Sequence, residues 1–336
     1  MAVLRDDEQD ERGAGPARAE PSGDKHAVED FYDLVTDFCA SASGTDALHK
    51  GYFDGPADPA PLARAADRLT RLVGERLRLG PGTELLDIGC GTGQPARLLA
   101  EETGCAVTGT DIAVRQLATA RRRAATTRHG DRLVFHHAEA TALPFPADSF
   151  DRAVMMEVLT HLPDTPGPRG KGAALAQAAR CLRVGGLLVL ADLTRLPAPP
   201  ESRPASAESR PASAEVPSMH VSTPERLLAL LDAAGFDPVG VEDLSERVRP
   251  SSLRTRRAVV ERRRPLTSAY GVAAVASMTA LVEGLARAER ELGYVVITAA
   301  VRATSGGRPG YAERKHASSA GPAPPPSGTP SPAGPA

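Results

Sequence analysis

The sequence predicts an α/β fold: a doubly wound, mostly parallel seven-stranded Rossmann-like sheet with an antiparallel edge strand and N-terminal helices. Three observations carry that expectation. Short apolar runs alternate with amphipathic helical stretches from Leu62 onward. The run ELLDI at 84–88 leads straight into a glycine loop, GCGTG, at 89–93. The last apolar run, YVVITAAV at 294–301, follows a long helical pattern, as an antiparallel closing strand would.

The elements follow in order. Leu62, Ala65, Leu69, Leu72, Val73 and Leu77 recur at helical spacing, and Gly80-Pro81-Gly82 ends that helix. ELLDI is a buried strand, and a helix begins after Gln94. Strand AVTGT, a helix from Val114 to Ala125 and strand LVFHH continue the βαβ alternation. Strand DRAVMM, a helix over Ala174 to Leu182 and strand GLLVLAD extend it. Thr223 is an N-cap with Pro224 at the first helical position, and Gly235 closes that helix before strand FDPVGVEDL. Ala274, Met278, Leu281, Leu285, Ala288 and Leu292 then alternate by four and three, the spacing of one helix face.

Both ends lack apolar periodicity. Residues 1–24 carry acids, Gly and Pro, and residues 304–336 are rich in Pro, Gly and Ser, so neither can offset its ordering entropy by burial. Between these tails one domain is expected over 25–303. It is interrupted at about 197–218 by a Pro/Ser/Ala-rich inserted loop in which ESRPASA occurs twice, at 201–207 and 208–214.

Composition narrows the function. A formal net charge of −2 gives no general attraction to nucleic acid or an anionic membrane, so the expected partner is a small molecule. Eight arginines between 247 and 264 face only Glu261; without interleaved aromatics they read as a solvated helix face. Cys39, Cys90, Cys105 and Cys181 match no zinc or redox spacing. An acidic N-terminus unlike a signal peptide, and no apolar run approaching 18 residues, make a cytoplasmic protein the expectation.

In a doubly wound sheet ligands bind beyond the carboxyl ends of the strands, which puts the first site at Gly89, Cys90, Gly91, Thr92 and Gly93. Glycines at alternate positions allow positive φ and close backbone approach to a ligand. A dinucleotide loop would place a third glycine where Gln94 stands, and Asp87, just before the loop, would repel a pyrophosphate while attracting a cation. Asp111 ends the next strand, where a carboxylate can accept from two ribose hydroxyls; Ile112 and Gln116 follow it. Glu139 and Ala140 reach the same rim after the third strand, placed to hold an adenine edge. Three rim acids and this loop point to S-adenosylmethionine as the cofactor.

At this point the chain resembles the class I S-adenosylmethionine-dependent methyltransferases. Over residues 28–302 it is similar to the small-molecule branch of bacterial natural-product pathways. LLDIGCGTGQPARLLA, TGTDIAVRQLATAR, AEATALPFPADSFDRAVMMEVLTHLPD and ARCLRVGGLLVLADLT carry the resemblance. The stretch FYDLVTDFCASASGTDALHKGYFDG resembles the entry helices of the ubiquinone, sterol and tocopherol enzymes and of glycoside O-methylating enzymes. The resemblance implies that Tyr32, His49 and Tyr52 cover the cofactor and that Glu157, opening EVLTHLPD, joins the cofactor residues. It also implies that His161 and Asp192 assist deprotonation of an acceptor: an imidazole suits removal of a hydroxyl proton, and a carboxylate can fix its tautomer. The expected activity is methylation of a small-molecule acceptor, an O-methylation in secondary metabolism. The alternatives are C-methylation of an activated carbon, or a polyketide cyclase that keeps the cofactor structurally.

Overall fold

The computed structural model describes residues 35–45, 47–196, 219–289 and 291–303. The expected tails, the inserted loop at 197–218 and Tyr32 lie outside the described residues.

Helix α1, described over residues 35–43, precedes α2 (Leu62–Leu77), whose Ala65, Leu69, Val73 and Leu77 are buried and whose end is turned by Arg78 in the left-handed region. Five strands and three helices then run β1 (Glu84–Ile88), α3 (Gln94–Thr103), β2 (Ala106–Asp111), α4 (Val114–Thr126), β3 (Leu133–His137), β4 (Phe150–Met156), α5 (Lys171–Cys181) and β5 (Leu182–Arg195). After α6 (Pro224–Ala233) come β6 (Phe236–Asp243), the helices α7 (Ser245–Val248), α8 (Pro250–Glu261) and α9 (Arg263–Ala288), and β7 (Leu292–Val301).

The seven strands form one sheet in the order β3-β2-β1-β4-β5-β7-β6. β1 to β5 are parallel, and β7 runs antiparallel to both β5 and β6. The antiparallel strand lies one place in from the edge, with β6 along its outer side. β6 is exposed at most positions, as an edge strand is, whereas β7 is buried along most of its length. The apolar content of YVVITAAV follows from that covered position.

Alternate side chains of the central strands enter two cores. Leu85, Val107, Val154, Val189 and Val296 pack on α2, α3 and α4. Leu86, Ile88, Met155, Leu188, Leu190 and Ile297 pack on α5 and α6. A third, smaller core lies away from the sheet, where Val35 and Phe38 of α1 meet Val259 of α8 and Met278 and Val282 of α9.

The helices between β6 and β7 differ most from the sequence expectation. The closing helix begins at Arg263, not Ala274, and Gly271 breaks it at φ 84, ψ 163. It contains an 18-residue window apolar enough to span a membrane by length and composition, which the sequence conceals because Ser, Thr and Gly interrupt its apolar residues. Arg256 and Arg257 of α8 are exposed. Arg254, by contrast, donates to the carbonyls of Asp58 and Ala60 and lies 4.5 Å over the Phe53 ring. Part of the arginine cluster thus fastens α8 to residues 53–60.

Candidate active site

Parallel register brings the ends of β1, β2 and β3 to one rim: Asp87 pairs with Gly109, and Asp111 with His137. Beyond β1 the chain turns through Gly89 (φ 77), Gly91 (φ 52) and Gly93 (φ 71). A β-carbon at Gly89 would lie 2.4 Å from Val158 Cγ2, and one at Gly91 would lie 2.8 Å from Gln116 Oε1. Glycine is required at Gly89 by both conformation and space.

The loop is tied to the neighbouring strand. Gly89 and Cys90 N–H groups donate to the Thr110 carbonyl (2.7 and 2.9 Å). Asp111 accepts from Gly91 N–H (2.8 Å) and Ala113 N–H (2.9 Å), one on each oxygen. Burial raises the Asp111 pKa, while the backbone N–H groups of Ala113, Gly91 and Ile112 act in the opposite sense and favour its charge. Gln116 is buried and reaches Thr36 of α1 at 3.1 Å. Cys90 is buried in the core beneath the loop, and burial lifts its thiol well above the ordinary value. It therefore serves the loop through its backbone. Ile112 is half-buried, its carbonyl 3.1 Å from His137 Nε2. Glu139 and Ala140, also half-buried, follow β3 in a turn closed by the Ala142 N–H on the Glu139 carbonyl.

Asp87 is 3 % exposed, and its Oδ2 has no hydrogen-bond partner. Burial, and then the charge of Asp111, push its pKa up to about 7. A buried carboxylate without a donor is costly, and a cation brought to the loop would stabilise it. The orphaned oxygen, the three positive-φ glycines and the Asp111 carboxylate fit S-adenosylmethionine, which carries a cationic amino acid end and a ribose diol.

The second half of the site lies across β4 and β5. Glu157 leaves β4 with φ 56; its N–H donates to the Ala191 carbonyl (2.7 Å) and its Oε1 accepts from Lys50 N–H (2.6 Å). Asp192 is fully buried: Oδ2 accepts from Leu159 and Thr160 N–H (2.8 and 3.2 Å) and Oδ1 from Leu193 N–H (2.8 Å). Asp192 thus holds the Leu159–His161 turn through its backbone amides. Burial and Glu157 raise its pKa to about 7. His161 is held down to about 4 by burial and by His220.

His161, Thr160 and Glu157 line a cavity of about 180 Å³. Its other walls are chiefly apolar, from α1 (Val35, Cys39), residues 47–51 and the α8–α9 pair (Met278, Leu281). His49 lines this cavity with Nδ1 2.8 Å from the Lys50 carbonyl. Tyr52 packs against the core on the α2–α4 side of the sheet, with Arg247 5.7 Å from its ring centroid. Sequence reasoning missed several of these groups. Lys50 pairs with Glu289 at 3.0 Å and with Ser252. Tyr294 is wholly buried, and its phenol is raised by burial and by Glu157 and Asp192. Their partners lie far away in the chain, and no local spacing marks them.

A parallel sheet of this order, with a glycine loop after β1 and an acid after β2, defines a Rossmann-like methyltransferase. A methyltransferase-domain family profile matches residues 86–190. The methyltransferase GfsG of Streptomyces halstedii is 34% identical over 241 residues, covering 70% of this chain and 83% of that protein. The 27-O-demethylrifamycin SV methyltransferase of Amycolatopsis mediterranei (strain S699) is 36% identical over 220 residues, 66% of this chain and 77% of that one. The crystal structure of the [4+2]-cyclase SpnF superimposes with a TM-score of 0.71 at 32% identity, covering 83% of this chain and 97% of that chain. The chain belongs to the S-adenosylmethionine-dependent methyltransferases that act on small molecules, and S-adenosylmethionine is its cofactor.

Proposed function

We propose that the protein methylates a hydroxyl group of an apolar secondary metabolite, glycosylated or polyketide-like, in the cytoplasm, with His161 as the proton acceptor. The observation that carries this reading is the position of His161 on the wall of the largely apolar cavity. When bound, the cofactor supplies an electrophilic methyl group on a sulfonium sulfur. Asp87, Gly89, Gly91, Gly93 and Asp111 hold it, with Ile112, Gln116, Glu139 and Ala140 around the loop. The apolar walls orient the acceptor and exclude water, so positioning supplies much of the rate. In the transfer the acceptor oxygen would take the methyl group from the sulfonium sulfur, leaving S-adenosylhomocysteine, and the hydroxyl proton would pass to His161, which burial and His220 keep neutral. Asp192 and Glu157 fix the turn that presents it. The acceptor chemistry fits relatives whose names describe O-methylation.

A second reading, cyclisation with the cofactor retained, is favoured by the 32% identity to SpnF. One experiment separates them: incubate the protein with methyl-labelled cofactor and a small-molecule extract of the producing organism, then fragment whatever gains label. Label on oxygen supports the proposal, label on carbon replaces it with C-methylation, and a converted product without label replaces it with cyclisation. With the labelled acceptor in hand, His161→Gln should lower turnover about 10²- to 10⁴-fold at unchanged cofactor affinity. Unchanged turnover removes His161 from catalysis.

A further inference from the structure

Lys171, the first residue of α5, is 1 % exposed, and nothing in the methyl transfer described above uses it. Lysine is almost never buried unless its charge is partnered. Here the ammonium donates to the His220 carbonyl and to Ser222 Oγ (2.5 Å). Ser222 Oγ in turn donates to Asp164 Oδ2 (2.9 Å), and Arg226 Nε donates to Asp164 Oδ1 (2.9 Å). Burial pulls the Lys171 pKa below the usual lysine value, while Asp164 and then Asp192 act in the opposite sense and favour the charge.

The segment so gripped packs Met219 and Val221 against the core but has few backbone bonds to the sheet. Residues 219–222 join the sheet only through a single parallel bridge, Ser222 to Thr194, flanked by the Arg195 N–H on the Ser222 carbonyl (3.0 Å). Yet the segment touches the acceptor side twice. Met219 lines the same cavity as His161, and the His220 N–H donates to the Thr160 carbonyl (2.8 Å), one residue before His161. Asp192 holds the amide side of that turn and His220 its carbonyl side. A point charge with several donors supplies here what a missing strand partner would otherwise supply.

We propose that Lys171 is a positioning residue for the acceptor: its ammonium holds residues 219–222 against the Thr160–His161 turn and thereby sets the cavity wall from which His161 works. The functional half rests on His161 being the base; the holding itself does not. The test uses the full-length protein and needs no acceptor. In Lys171→Met, amide hydrogen exchange at residues 219–222 should rise at least tenfold. Residues 85–112 should stay protected, and the dissociation constant of S-adenosylmethionine should stay within twofold. Carbethoxylation of His161 by diethyl pyrocarbonate at pH 7 should quicken at least tenfold. Its pH midpoint should move from about 4 toward the ordinary histidine value as water reaches the ring. Lys171→Arg should restore protection and midpoint toward the wild type. Ser222→Ala keeps the Lys171 to His220 bond and should give the same changes at smaller size, which preserves the test if Lys171→Met does not fold. Exchange and carbethoxylation unchanged in both variants, or protection lost equally across the sheet, overturns the proposal. Changes as expected in a protein whose His161→Gln variant still transfers methyl would keep the clamp and remove the base.

Discussion

Cofactor affinity should fall as pH drops below 7, because Asp87 must be ionised to meet a cation. Burial and Asp111 place its pKa at about 7 in the free protein. A carboxyl with that value is roughly 3 % ionised at pH 5.5 and half ionised at pH 7. If the cationic end of S-adenosylmethionine selects the ionised form, the dissociation constant should weaken about fifteenfold across that interval, ~1.6 kcal/mol. Nearly one proton should be released per cofactor bound at pH 5.5. Titration calorimetry in two buffers of different ionisation enthalpy reads both quantities. The window stops at pH 7 because an α-amino group, such as the cofactor carries, titrates near ~7.7–8.0 and would add its own slope. Asp87→Asn should bind weakly at every pH in the window, with a flat profile. A wild-type affinity independent of pH, with no proton released, would refute the assignment of Asp87 to the cation.

Three further outcomes follow from the same geometry. Asp87 and Asp192 both have folded values of about 7, above the unfolded carboxyl value, so the folded state binds more protons between the two values and loses stability as pH rises through 7. His161, lowered to about 4, acts in the opposite sense: its unfolded form still titrates near ~6.5, so it returns about 0.4 kcal/mol between pH 6.5 and 8. From pH 6.5 to 8 the two carboxyls cost about 1.6 kcal/mol, so the cofactor-free protein should lose about 1 kcal/mol net, a fall in Tm of roughly 2–3 °C by scanning calorimetry; a rising Tm contradicts it. Gly89→Ala places a β-carbon at φ 77 and 2.4 Å from Val158 Cγ2, so urea unfolding should show a loss of about 3 kcal/mol, ~1–2 of it conformational. Adding Val158→Ala should return only the steric part, and full recovery would show that the left-handed φ costs nothing. Asp111→Asn should weaken S-adenosylmethionine by ~1.5–3 kcal/mol, the range for hydrogen bonds to a charged group, and unchanged affinity by calorimetry would place the ribose elsewhere.

The strand-end placement of Asp87, the loop glycines and Asp111 was legible in the sequence because it is local. In a parallel sheet the residue after a strand is at the binding rim whatever the rest of the chain does, so Asp87, the glycines and Asp111 could be placed from strand ends alone. Even there the sequence did not distinguish how a residue serves: Cys90 stands between two loop glycines, yet its side chain points into the core. The polar groups beyond β4 and β5 are tied to distant segments. Lys50 meets Glu289 across 239 positions, and Lys171 meets Ser222 across 51. No periodicity encodes such pairs. The helix covering the cavity was misjudged at its start for a related reason. Gly271 interrupts the helix, so the apolar spacing on either side does not run in one phase.

Glu157 shows how the two halves are joined. A non-glycine residue at φ 56 is uncommon and persists only where its surroundings over-determine it. Here its N–H is fixed to β5 by the Ala191 carbonyl, and its carboxylate caps the amide of Lys50. The same Lys50 is anchored by its ammonium to Ser252 of α8 and to Glu289 just after α9. Releasing φ at Glu157 to an ordinary strand value would swing the chain away from Asp192, whose oxygens hold Leu159 and Thr160, and would uncouple the covering segments from the sheet. The left-handed turn at the end of β4 is therefore what ties the covering segments at Lys50, α8 and α9 to the rim formed by the ends of β4 and β5.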